Sequence, residues 1–164
     1  MADNASVTLS ATILPDEIAK TISGAMTVTP ADTTEKWYFK ITNVPHNTGT
    51  AKLITGSFIS EETIGTAHDT VATGDKVKFL FIKNTGTTDG STETTESLVI
   101  GVRASDTAIF SLNPSIAIKA GESWFGRLPN VTVNDITAIS TRADVGAVGT
   151  GIVQCLVGAL ISDE

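Results

Sequence analysis

Apolar and polar positions alternate with a period of two along most of this chain, and the alternating runs are short. Residues 6–14 (SVTLSATIL) place Val7, Leu9, Ala11 and Ile13 on one side. Residues 36–44 (KWYFKITNV) set Trp37, Phe39 and Ile41 against Lys36, Tyr38 and Lys40. In residues 76–84 (KVKFLFIKN), Val77, Phe79 and Phe81 share one face and Lys76 and Lys78 the other, with Leu80 and Ile82 also apolar. Alternation of this kind is the signature of half-buried strands. Further strands are expected over 51–60, 97–102, 115–119, 123–128 and 131–139, with shorter apolar pieces at 106–113. The run at 152–161 (IVQCLVGALI) is nearly all apolar, as in a strand covered on both faces.

Turn signals separate these runs every 8–15 residues or so, the spacing expected of a sandwich or barrel. Residues 15–17 (PDE), 45–49 and 120–122 (AGE) break the pattern sharply. Residues 18–30 are ambiguous: Ile18, Ile22, Met26 and Val28 suit a helical turn, while Gly24 and the threonines favour an extended path. The stretch 84–96 (NTGTTDGSTETTE) is long for a hairpin, so it either projects or packs on a neighbour. The expectation is one all-β domain over 1–164, a two-sheet, jelly-roll-like β-sandwich with short strands and long Thr-rich loops. Residues 1–10 form its first strand or an N-terminal arm that adds to a neighbour's sheet.

Composition sharpens this. The chain has 164 residues, enough to bury a core unaided, and only 18% of them are charged. Thr is about one residue in six, which suits pleated, half-exposed surfaces. The net charge of −7, with 11 basic residues dispersed along the chain, argues against a nucleic-acid backbone as partner. No run is long enough to span a bilayer as a helix, and the N-terminus lacks the basic and apolar regions of a secretory signal, so no membrane partner is expected. The single cysteine, Cys155, has no intrachain mate and reads as a buried thiol.

Catalytic chemistry finds no footing. His46 and His68 stand in loops without metal-ligand spacing. Glu61-Glu62 is an isolated acidic pair. Glu122 beside Trp124 has residue types found in glycosidases, but a turn glutamate and a core or interface tryptophan explain them as well. The 87–93 loop (TTDGSTE) lacks the alternating acids of a calcium loop, and Asp89-Gly90 is a good turn pair by itself. No phosphate loop, nucleophile elbow or dinucleotide fingerprint is present. Glycosylation sequons at Asn4 and Asn130 carry little weight without a secretory signal. No cofactor, metal or catalytic residue is expected, and the chain is read as non-enzymatic. A carbohydrate-binding module would show a planar row of aromatics, whereas here aromatics are few and lie mostly at core-phase positions.

Residues 75–86 (DKVKFLFIKNTG), the Thr-rich loop after them and residues 120–129 (AGESWFGRLP) resemble small structural proteins of tailed bacteriophages, especially those of cyanobacteria and marine bacteria. The similarity spans about 36–141. It implies a virion component made in the host cytoplasm: a head decoration or cement protein, or a tail, baseplate or fibre subunit. It carries no active-site residues. It implies a homo-oligomer, commonly a trimer, clamped onto the major capsid protein or other virion proteins through a few aromatic anchors. Trp37, Tyr38, Trp124 and Phe125 are the candidates for that role.

Overall fold

Two sheets face each other across a single apolar core, and every strand pairing in them is antiparallel. The computed structural model describes residues 4–13, 20–45, 51–58, 69–102, 116–142, 147–148 and 151–163. The chain divides into two compact units, Met1–Thr33 and Thr34–Glu164.

The first unit is a hairpin of β1 (Ala5–Ile13) and β2 (Lys20–Val28), in register from Ala5 opposite Val28 to Ile13 opposite Lys20. The ambiguous 18–30 stretch thus resolves as a strand. β-Branched Thr21, Ile22, Thr27 and Val28 favour extended backbone, and pairing with β1 completes their hydrogen bonds.

In the second unit the strands are β3 (Glu35–Val44), β4 (Ala51–Lys52), β5 (Lys76–Asn84), β6 (Ser97–Val102), β7 (Ile116–Ile118), β8 (Ser123–Thr132), β9 (Ile136–Arg142), β10 (Ala147–Val148) and β11 (Val153–Ser162). One sheet has the order β3-β11-β5-β8, the other β10-β9-β6-β7, with β4 also pairing β9. A 3-10 turn at Val133–Asp135 joins β8 to β9. The core is filled by Val77, Leu80, Ile82 and the alternate residues Val153, Cys155, Val157, Ala159 and Ile161 from one sheet. Leu98, Ile100, Ile118, Ile136 and Ala138 meet them from the other. Leu53, Ile54 and Phe58 close one side. The expected 51–60 strand is shorter than its pattern suggested. Only Ala51 and Lys52 pair as a strand, after which Ser57 bridges Thr70.

Two strands differ from their sequence pattern in a way that matters for function. Between Val77 and Phe79 the register of β5 slips against both neighbours: Lys78 is the extra residue against β11, whereas against β8 the excess, residues 128–130, lies on β8. The slip moves Val77 to the same side as Leu80 and Ile82, in the core, and sends Phe79 and Phe81 to the opposite face. In β3 the phase is the reverse of what aromatic content suggests. Tyr38 is buried, its hydroxyl donating to the Thr55 carbonyl at 3.0 Å, while Phe39 and Ile41 are each 52% exposed. The run at 152–161 is flanked by strands on both edges, but only its inner face is fully covered; Gln154, Leu156 and Gly158 on the other face are half-buried.

Candidate interaction surface

Because β3, β11, β5 and β8 pair in known register, the outer face of their sheet can be read row by row. One row is Trp37, Leu160, Phe79 and Arg127. The next is Phe39, Gly158, Phe81 and Phe125. The third is Ile41, Leu156, Lys83 and Ser123. Phe79 and Leu160 are fully buried yet stand apart from the core cluster, as expected for the centre of a second apolar layer. Gly158 leaves a gap between Phe39 and Phe81; a methyl there would sit 3.9 Å from the Phe81 Cβ. Aromatic residues thus flank Gly158 in this row, and Lys83, Arg127 and Ser123 stand on the β5 and β8 strands of the same face.

This face holds five of the chain's nine aromatic residues (two Trp, one Tyr, six Phe). The expectation that aromatics sit mostly at core-phase positions is corrected here. Contiguous exposed apolar surface is characteristic of interaction sites. Of the four anchor candidates, Trp37 and Phe125 lie on this face. Tyr38 and Trp124 point the other way, into the core. Sequence reasoning missed Phe39, Ile41, Phe81 and Leu156. The signal was present in the unbroken apolar runs Phe79–Ile82 and Leu156–Ile161, which require a sheet apolar on both sides.

The remaining candidates resolve into structural roles. Trp124 lies across its own strand: a Cβ added to Gly126 would come within 3.1 Å of the indole ring, so glycine is what lets the ring reach the core. Glu122 closes a turn. Its backbone N–H donates to the Lys119 carbonyl at 3.0 Å, and its carboxylate accepts from the Lys119 N–H at 3.0 Å. Gly121 supplies the left-handed residue of that turn, with φ of 80°. The Thr-rich loop packs on β11: the Thr85 N–H donates to the Gln154 carbonyl at 3.1 Å, and the Gln154 N–H returns a bond to Thr87 at 2.8 Å. Within it the Asp89 carboxylate accepts from the N–H and hydroxyl groups of both Ser91 and Thr92. Those four donors hold its pKa well below the usual carboxylate range and occupy the oxygens a cation would need.

Lys36 binds the carboxylates of Asp69 and Asp163 and lies 5.4 Å from the Phe58 ring centroid. The Asp69 and Asp163 hydrogen bonds raise the Lys36 pKa, and Lys36 in turn lowers that of Asp69. This is a clamp at the edge of the sheet. Burial pushes the Cys155 thiol up to about 12, which makes it inert. Among the described residues, no three His, Cys, Asp or Glu side chains converge as a metal site, and no helix is long and apolar enough to cross a membrane. His46, His68, Glu61, Glu62 and residues 106–113 lie outside the described residues. Comparison with protein-family models, curated proteins and solved structures returns no match.

Proposed function

We propose that this chain is a non-enzymatic structural subunit of a tailed-bacteriophage particle, a head decoration or cement protein that oligomerises and stabilises the shell. One observation carries the reading: the outer face of the β3-β11-β5-β8 sheet is apolar and aromatic and is exposed along β3, with Phe39 and Ile41 each 52% exposed. A surface of this composition suits stable contact with protein, whose interface centres are rich in aromatics and poor in charge. The sequence resemblance supplies the setting, a virion assembled in the host cytoplasm with the major capsid protein as the natural partner. A tail, baseplate or fibre subunit would use the same surface in the same way.

A sugar-binding reading draws support from the ring row of Phe39, Phe81 and Phe125. It is the weaker of the two, because hydrogen-bonding side chains stand only at the margin of the face, and a sugar presents hydroxyls that need partners. The test is peptide mass spectrometry of gradient-purified particles, with heads and tails separated. Recovery of this chain with heads, in many copies per particle, is the expected result. Recovery with tails selects the alternative, and absence from particles overturns the virion reading.

A further inference from the structure

Asp-Gly occurs once in the chain, at Asp89-Gly90, and Asn-Gly does not occur. An aspartate closes readily on a following glycine, because glycine puts no side chain in the way of the ring. The Gly90 nitrogen attacks the Asp89 Cγ, the N–H proton and the carboxyl hydroxyl leave together as water, and a five-membered succinimide forms. Water then opens either carbonyl of that ring. One route restores aspartate; the other gives isoaspartate, in which the main chain runs through the side-chain carbon. Asp89 and Gly90 are both exposed, so burial gives them no shelter. The turn nevertheless needs each of them. Gly90 has a φ of 94°, in the left-handed region, and a Cβ there would lie 3.4 Å from the Gln154 Oε1. Asp89 is the acceptor for the two residues that follow Gly90.

We infer that the 84–96 loop holds Asp89-Gly90 in a locked form that cannot close this ring, so that isomerisation of Asp89 waits on local opening of the loop. The carboxylate is held first. Its Oδ1 accepts from the Ser91 N–H at 2.9 Å, the Ser91 hydroxyl at 3.0 Å and the Thr92 N–H at 2.7 Å, and its Oδ2 accepts from the Thr92 hydroxyl at 3.0 Å. Ring closure must expel one of these oxygens and swing Cγ onto the Gly90 nitrogen, which breaks bonds at both. The same donors favour the ionised carboxylate, whose oxygen is a poor leaving group. The attacking nitrogen is engaged as well: the Gly90 N–H donates to the Thr87 hydroxyl at 3.1 Å. The backbone is closed around the pair. The Thr88 N–H donates to the Thr92 carbonyl and the Thr94 N–H to the Gly86 carbonyl, each at 2.8 Å. From β11 the Gln154 N–H holds the Thr87 carbonyl at 2.8 Å, so the dipeptide is fixed to the sheet rather than free at a loop tip.

This inference rests on the loop alone and stands apart from the virion reading. The full chain is held at neutral pH, and isoaspartate at position 89 is followed by peptide mapping with fragmentation that separates the two linkages. A synthetic peptide of residues 84–96 is the reference. The folded chain is expected to isomerise at least about tenfold more slowly than the peptide, since reaction must wait for a local opening. Two variants separate the lock from foldedness in general. S91A/T92V removes both hydroxyl donors from the carboxylate, and T87V removes the acceptor of the Gly90 N–H; the urea midpoint verifies that each is folded. Each is expected to isomerise faster than the native chain. If a variant fails to fold, hydrogen exchange of the native chain replaces it, with the Gly90, Ser91 and Thr92 amides expected to be protected. A native chain that isomerises as fast as the peptide, folded variants no faster than the native chain, or amides that exchange freely would each overturn the proposal.

Discussion

Asn84 is a fully buried amide at the end of β5, and every one of its polar atoms is occupied. Its Nδ2 donates to the carbonyls of Glu96 at 3.0 Å and Ile118 at 3.1 Å, and its Oδ1 accepts from the Gly86 N–H at 2.9 Å. One side chain thus fixes where the Thr-rich loop leaves one sheet and where β6 and β7 begin in the other. Replacing Asn84 with Leu strands three backbone groups, one buried and two part-buried, and should lower unfolding free energy by about 2–3 kcal/mol in urea titration. Cys155 makes a kinetic prediction. With its thiol pushed up to about 12 by burial, labelling by a disulfide reagent at neutral pH should proceed only as fast as the protein unfolds. Labelling at the rate of a small free thiol would contradict its place in the core. Acid stability reports on the Lys36 clamp. The folded pKa of Asp69 is lowered, chiefly by its hydrogen bond from Lys36, so its contribution is present above the ordinary value of 3.8 and fades as pH falls below it. Asp69→Asn should flatten that part of the stability profile, read as the urea midpoint against pH.

Strand positions were legible because period-two patterning and turn residues are local signals. The 76–84 and 97–102 runs coincide with β5 and β6, 36–44 differs from β3 by one residue at its start, and 152–161 is shifted from β11 by one residue at each end. Which side of a strand faces the core was not legible. In β5, Lys76, Val77, Lys78 and Phe79 read as perfect alternation, and only pairing to β11 exposes Lys78 as a bulge that reverses the phase. In β3 both sides carry bulky residues, and the choice between Tyr38 and Phe39 is made by Thr55, which both donates to and accepts from the Tyr38 hydroxyl. Of the proposed anchors, Trp37 and Phe125 therefore lie on the outer face, and Tyr38 and Trp124 within. The packing of Trp124 gives a prediction at this scale. Gly126→Ala would drive a methyl to 3.1 Å from an indole already packed on the core, at a cost of about 1–2 kcal/mol and with a changed near-ultraviolet dichroism of the tryptophan. A neutral effect would mean the ring has room to shift.

For the molecule as a whole, the physical problem is an excess of apolar surface. A sandwich normally hides one side of each sheet and wets the other. Here the β3-β11-β5-β8 sheet is apolar on both sides, and the hairpin adds a third apolar surface exposed at Leu9 and Ile22. At net charge −7 the copies repel one another weakly at long range, so association must come from short-range burial of these faces. The most direct measurement is the absolute mass of the purified 164-residue chain in solution, by light scattering over a dilution series. A stable multiple of 17.1 kDa that persists on dilution is the predicted result; a chain that remains at 17.1 kDa throughout would contradict the claim that these apolar faces exist to join copies together.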